Sequence, residues 1–553
     1  MTRADGLAVA ALAGALVVVV WPAFSGAYLA DPLSELPVRL WAHEAIPRLG
    51  GLVEGARFPS PGTLNDPDPL GGLATALFRP VLGSAGAWNT WVILQLGATL
   101  LATWGFLRSL HGSPTAAVLG AIGFALTPLT LVYGVAGAVI DTLALWPYPL
   151  CAWGLLAAGR AADPRRPAFF AGLAAGVAFV ACPYDVLVFM ALAVPGMLWM
   201  PRRASVVLPF VLGAVCVAGP YAARMAWLMA DSGSQMSAEA VAASRHAWPF
   251  PLLRPEHTHR YTAFLADYFA VGKGALIERV AASRFYRAFS PGWTLLLPAL
   301  AAARLAPRSR PWLGLAAFAA LASTGPFLPV TADFSLPWPA NPAWWILRPL
   351  GGALLLEPFR YGLAAVFALA VAASLGVAAL ERRLPALGLP LAAAWLAELL
   401  IVSPVPIPLP TARLDVPSVY RRLDDLLPSG AVLELPWFDR GTDRFQRAHF
   451  FFQLVHGRPI PDEVAGFVPE WLTTNQFTAA LLHAEKPLGP LGVKVETTRI
   501  DADRDAFGAA GFAGVIVAPD GYANDRVRAQ VAALLEPFGE PATVDGRQVY
   551  RVR

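Results

Sequence analysis

Asp31-Pro32 stands at the end of the first long apolar stretch, and Glu35, Arg39, His43, Glu44 and Arg48 follow it closely. A carboxylate at the mouth of a membrane helix can accept a proton from a hydroxyl nucleophile, or bind a metal ion held by a phosphate. The same residue type caps helices, so Asp31 equally suits the start of a following helix. Asp66 and Asp68, two residues apart between prolines, could ligate a divalent cation or simply initiate turns. Asp141 and Asp185 lie deepest among apolar runs, where an ionisable group is costly and therefore a functional candidate. Arg360, in Glu357-Pro358-Phe359-Arg360-Tyr361, could neutralise a lipid phosphate through two parallel hydrogen bonds, or pair with Glu357. The chain carries no Walker A loop, GxSxG elbow or dinucleotide fingerprint, which leaves ATP-driven transport and serine hydrolysis unsupported.

Such residues need elements to hold them, and the composition says which. Of 553 residues, 56% are hydrophobic and only 14% are charged, whereas a soluble protein carries about 25% charged residues. The balance excludes an ordinary soluble enzyme and an intrinsically disordered chain. A net charge of +4, with no basic stripe, gives no footprint for nucleic acid. Eleven apolar segments approach the length of about 20 residues needed to cross a bilayer. They lie near 6–29, 87–107, 115–135, 140–158, 168–183, 185–201, 205–227, 292–303, 312–330, 361–380 and 386–404.

Orientation follows from the arginines in the short loops. If the spans alternate, twelve arginines fall on one side, among them Arg3, Arg108, Arg160, Arg165 and Arg166, against Asp5, Asp163 and Glu381. The positive-inside rule makes that side cytoplasmic. Eleven crossings then place the C-terminus outside, together with three long loops at 30–86, 228–291 and 331–360. Loops this long are uncommon unless they are functional.

The expected organisation is a membrane domain over 1–404, a proline-rich spacer over 405–410 and an outer domain over 411–553. That last segment holds 35 charged residues in 143, the density of a soluble domain. Ala431–Pro436 and Ala513–Ala518 read as buried strands, 444–456 and Asp525–Phe538 as helices, and Val544-Asp545-Gly546-Arg547 as a hairpin turn. The expected fold class is thus a polytopic α-helical membrane protein of about eleven helices, N-in and C-out, with a C-terminal extracytoplasmic α/β domain.

The layout resembles the GT-C superfamily of membrane glycosyltransferases, and more narrowly the YfhO-type bacterial membrane proteins. The matching pieces are Asp31 after span one, Gly55-Ala56-Arg57-Phe58-Pro59, Asp68-Pro69-Leu70-Gly71 and Asp141 ahead of Trp146-Pro147-Tyr148-Pro149-Leu150. Glu357-Pro358-Phe359-Arg360-Tyr361, Leu433-Glu434-Leu435-Pro436 and Gln453-Leu454-Val455-His456-Gly457-Arg458-Pro459-Ile460 complete the set. The resemblance implies transfer of a sugar from a polyprenyl-phosphate donor to an extracytoplasmic glycan, lipid or protein acceptor. It makes Asp31 the catalytic carboxylate and Arg360 the phosphate partner, with Glu35, Asp66, Asp68 and Asp141 lining the substrate cleft. It leaves room for a divalent cation, magnesium or manganese. Two further classes stay open on the sequence: a lipid-linked-sugar flippase or transporter, and a non-catalytic scaffold.

Overall fold

The computed structural model describes residues 2–32, 34–49, 52–53, 62–63, 68–139, 142–182, 203–231, 290–325, 329–331, 334–335, 341–347, 358–403, 406–437, 448–461, 470–485, 494–522 and 524–552. The chain divides into two compact units. The first holds Met1–Asp31, Leu77–Met225 and Gln235–Ala412; the second holds Pro32–Ala76, Ala226–Ser234 and Arg413–Arg553. The sequence reading assigned all of 1–404 to the membrane domain and treated 30–86 as its loop. In the structure most of that loop belongs with the tail.

In chain order the first helices are α1 (Arg3–Val20), α2 (Leu36–Leu49), α3 (Pro69–His111), α4 (Pro114–Ala125), α5 (Pro147–Arg160) and α6 (Arg165–Ala181). There follow α7 (Arg203–Asp231), α8 (Trp293–Leu305), α9 (Arg310–Ser323), α10 (Tyr361–Leu380) and α11 (Gly388–Val402). The tail adds α12 (Ala448–His456), α13 (Gln476–Glu485), α14 (Ile500–Ala509) and α15 (Asp525–Leu535).

The centre of the first unit is α10, apolar all round and buried from Tyr361 to Val377, as expected of a helix enclosed by others. It packs against α4, α8 and α9. A Cβ on Gly376 would stand 2.6 Å from the Pro298 carbonyl oxygen, so glycine is what lets α10 lie against α8. A polar bond joins α10 to α4: Ser374 Oγ donates to the Ala116 carbonyl at 2.9 Å. Arg108 and Asp5 form a two-pronged ion pair at 2.7 and 3.0 Å, tying α3 to α1.

Helices occupy ten of the eleven expected span positions, and the remaining one, 185–201, lies outside the described residues. Four described helical stretches are long and apolar enough to cross a membrane: Arg3–Ser25, Pro69–His111, Ala204–Arg224 and Tyr361–Leu380. The bent pair Pro114–Ala125 and Leu129–Ala136 makes a fifth if it counts as one span. Among the described residues four helices, or five if the bent pair is one span, meet that length, against the eleven expected over the whole chain. The reason is length: α5, α6, α8, α9 and α11 have 14, 17, 13, 14 and 15 residues. At about 1.5 Å per residue they fall short of a hydrocarbon core of about 30 Å. The 43-residue α3 is broken at Gly83, whose φ of +69° leaves the helical region.

The second unit is built on a four-stranded mixed sheet in the order β7-β8-β10-β9. Short pairs come earlier in the chain: β1 (Tyr28–Leu29) with β6 (Thr411–Ala412), β2 (Leu52–Val53) with β3 (Gly62–Thr63), and β4 (Pro329–Thr331) with β5 (Phe334–Ser335). Strands β7 (Ala431–Leu435) and β8 (Phe512–Val517) run parallel and are buried at every position, which is why both read as apolar runs, β7 broken only by Glu434. Strand β10 (Arg547–Arg551) pairs antiparallel with β8 and with β9 (Ala542–Val544). The expected hairpin turn is present: Asp545 and Gly546 take φ of +49° and +74°, the pair of left-handed residues a tight hairpin needs.

One sheet face packs on Val38, Trp41 and Ala42 of α2 together with Phe450 of α12. The other packs on Phe477 and Leu481 of α13, Phe507 of α14 and Val531 and Leu535 of α15. Trp41 also donates its indole N–H to the Gln453 side chain. The early helix α2 is thus part of the core of the late domain.

Candidate functional site

Pro128 has no N–H to give to the carbonyl four residues back, so α4 ends at Ala125. The chain bends by 46° and continues as a π-helical turn over Leu129–Ala136. Such turns recur at functional sites. Thr127 Oγ1 accepts the Thr130 N–H at 3.1 Å and secures the restart. A Cβ on Gly134 would meet Leu143 at 2.6 Å, so the returning chain lies close against this turn.

Two of the residues singled out from the sequence meet on this segment. The Asp31 N–H donates to the Ala136 carbonyl at 2.8 Å. The chain ahead of Asp31 is held by α3: Asn89 Oδ1 accepts the Leu29 N–H at 2.8 Å, and Asn89 Nδ2 donates to the carbonyls of Ala23 and Ala27 at 2.9 and 2.8 Å. Trp88 Nε1 donates to the Leu29 carbonyl at 3.1 Å. The pairing of β1 with β6 places Tyr28 opposite Ala412 and Leu29 opposite Thr411. Asp31 therefore leaves a backbone anchored from both sides, and its own position is half-buried.

Arg360 reaches the same π-helical turn from the start of α10. It is buried, donates from Nη2 to the Tyr133 hydroxyl and from Nη1 to Cys182 Sγ, each at 3.3 Å, and lies 5.8 Å from the Tyr133 ring centroid. Phe359 packs edge-on against the same ring at 5.0 Å. A guanidinium held this way offers a planar set of donors to an anion. Asp31 touches this segment through its backbone N–H and Arg360 through the Tyr133 hydroxyl; a carboxylate suits proton acceptance and a guanidinium anion stabilisation.

The other expected site residues stand elsewhere. Glu35 pairs with Arg39 at 3.1 Å just ahead of the first turn of α2 in the second unit. Asp68 is buried in the same unit with both oxygens engaged: Oδ1 accepts the Gly71 N–H at 2.8 Å and Oδ2 meets His43 Nε2 at 2.9 Å. Thr75 Oγ1 lies 3.2 Å from His43 Nδ1. The geometry is that of a satisfied internal network that caps α3. Asp66, Asp141 and Asp185 lie outside the described residues. A Cβ on Gly71 would fall 2.1 Å from Asp68 Oδ2 and 2.4 Å from His43 Nε2. Gly71→Ala is accordingly expected to displace this pair and cost about 1–3 kcal/mol, the penalty of stranded buried polar groups. A melting temperature unchanged from wild type would contradict this.

Tyr133, Cys182, Asn89 and Trp88 were missed in the sequence. Pro128 inside an apolar run was the available signal, since proline marks a broken helix. Among the described residues no group of three or more histidine, cysteine or acidic side chains could hold a metal ion.

No protein-family model matches the chain, and no curated protein does. Solved structures do. Arabinofuranosyltransferase AftD from Mycobacteria matches at a TM-score of 0.50 and 16% identity over 98% of this chain and 40% of that one. A mutant form of the same enzyme matches at 0.52 and 14% over 98% and 41%. The chain thus spans about two fifths of the length of that enzyme. A looser likeness, at 0.44 and 16% identity over 100% and 99%, is to ArnT from Cupriavidus metallidurans bound to undecaprenyl phosphate. Among the described residues four or five helices are long and apolar enough to cross a membrane, and the fold is similar to that of the arabinofuranosyltransferase AftD.

Proposed function

We propose that the chain is a membrane glycosyltransferase that moves a sugar from a polyprenyl-phosphate donor to a hydroxyl-bearing acceptor outside the cytoplasm. The observation that carries this reading is the convergence of Asp31 and Arg360 on the π-helical turn Leu129–Ala136. The likeness of fold to an arabinofuranosyltransferase supports it. The proposed host membrane is the inner or plasma membrane of a bacterium, with the N-terminus cytoplasmic, as the arginine distribution and the YfhO-type motifs suggest.

The acceptor oxygen attacks the anomeric carbon from the face opposite the lipid phosphate. The bond from carbon to phosphate oxygen breaks, so the configuration inverts and polyprenyl phosphate departs. Asp31 takes the proton of the acceptor hydroxyl. Arg360 faces the negative charge that gathers on the departing phosphate, and being fixed in advance by Tyr133 it needs little reorganisation. The second unit, with no catalytic signature among its described residues, positions the acceptor.

The test is transfer of labelled sugar from a polyprenyl-phosphate donor by full-length protein in lipid, with Arg360→Gln and Arg360→Lys alongside. Removal of one preorganised donor costs about 10²–10³ in rate. Arg360→Gln should fall by that much, and Arg360→Lys should recover part of the loss by keeping the charge without the fork. Wild-type activity in both variants would sink the role of Arg360. Absence of transfer with every donor would sink the reading itself.

A further inference from the structure

Two grooves on the outside of the first unit share one charged end. The first, of 580 Å³, runs between α5 and α6 and is lined by Trp146, Trp153, Phe170 and Leu173, with Arg166 at the start of α6. The second, of 460 Å³, lies on the other flank of α6, lined by Arg165, Arg166, Phe169, Phe170 and Pro209. Both fall within the roughly 300–1,000 Å³ of sites that bury a small ligand. Phe170 is 65% exposed and forms the ridge between them.

The first groove is preformed. Trp146 is pinned by a hydrogen bond from its Nε1 to Gln95 Oε1 at 2.9 Å. Trp153 sits against Gly105, where a Cβ would come within 2.8 Å of its ring. Gly154 forms the floor, since a Cβ there would stand 2.8 Å from Ala171 Cβ and 3.0 Å from the Pro167 carbonyl. The charges are one-sided: exposed Arg165 and Arg166 stand beside a single acid, Asp163, which accepts the Arg165 N–H at 3.1 Å. These arginines lie on the side that the loop charges assign to the cytoplasm.

We propose that the two grooves together bind one anionic diacyl phospholipid. Its phosphate rests on Arg165 and Arg166, and its two acyl chains lie on either side of Phe170. Apolar walls fit hydrocarbon, and the paired guanidiniums fit an anionic headgroup better than a zwitterionic one. The two-groove shape selects the occupant, because a single-chain polyprenyl phosphate would fill one groove and leave the other bare. The site is separate from the Asp31 and Arg360 site and does not depend on the transferase reading.

The experiment is native mass spectrometry of the full-length protein offered phosphatidylglycerol, phosphatidylcholine and undecaprenyl phosphate. One phosphatidylglycerol should be retained per chain, at least tenfold in preference to phosphatidylcholine. The double variant Arg165→Gln with Arg166→Gln should weaken retention about thirtyfold, the product of about fivefold for each basic side chain at an anionic surface. Leu173→Trp, which fills the first groove and keeps both arginines, should also expel the lipid. Equal retention of the two phospholipids by wild type would overturn the proposal without reference to any variant. So would displacement of phosphatidylglycerol by equimolar undecaprenyl phosphate, or full retention by a monodisperse double variant.

Discussion

Asp31→Asn lowers sugar transfer by about 10²–10⁴-fold, the share of rate acceleration that a positioned general base supplies. The variant keeps the size of the side chain and an acceptor oxygen, and loses only the ability to take a proton. Backbone bonds hold this stretch of chain: the Asp31 N–H on the Ala136 carbonyl, the Leu29 amide on Asn89 and the Leu29 carbonyl on Trp88. Asp31→Glu is the informative companion, because it retains the base and displaces it by one methylene. A misplacement of about 1 Å can cost 10²-fold, so the glutamate variant should also lose activity. Transfer, donor binding and membrane insertion are measured together. Full transfer by Asp31→Asn would remove Asp31 from the chemistry. Loss of donor binding alone would make it a binding group.

The sequence carried the elements better than their grouping. Strands β7 and β8 were visible because both faces are covered, and they read as apolar runs with Glu434 the one exception. The Asp545-Gly546 hairpin was visible because few other residue pairs adopt two successive positive φ values. Hydropathy marks apolar stretches without marking how long the helix within each will be, and α5, α6, α8, α9 and α11 run only 13 to 17 residues. The placement of α2 was out of reach, since its partners Phe450 and Gln453 lie some four hundred positions away. Asp31 and Arg360 were found by their chemical type. Their common support, Tyr133 and Ala136, was not, because a tyrosine and an alanine inside an apolar run carry no local signal. Asp68, among prolines, read as either a cation ligand or a turn residue; in the structure it caps α3 and pairs with His43.

Glu434→Leu destabilises the second unit by about 3–5 kcal/mol, the cost of removing one member of a buried charged cluster. Glu434 occupies an all-buried strand opposite Ile516, an unusual place for a carboxylate. The Tyr420 hydroxyl donates to its Oε2 at 2.6 Å. His449 Nε2 stands 3.8 Å from Oε2, and His456 Nε2 stands 3.7 Å from Oε1. The Arg458 N–H donates to His456 Nδ1 at 3.0 Å, which places a proton on the nitrogen facing Glu434. Burial pushes the Glu434 carboxyl upward, but the two imidazoles and the tyrosine hydroxyl outweigh it and hold the group below its usual value. Tyr420 moves the opposite way, raised by burial and by the adjacent negative charge. A depressed carboxyl stabilises the fold above the unfolded pKa of about 4.3. That contribution is lost as pH falls through the lower folded value. Wild-type protein should therefore lose stability steeply at acid pH, and Glu434→Gln should show a shallower acid dependence. At neutral pH, Glu434→Leu should lower the melting temperature by roughly 6–20 °C, at about 2–4 °C per kcal/mol for a unit of this size class. Thermal unfolding of full-length protein in detergent, followed from pH 3 to 7, measures both. An unchanged melting temperature in the leucine variant, or identical acid profiles for wild type and the glutamine variant, would show that the carboxylate contributes nothing to this core.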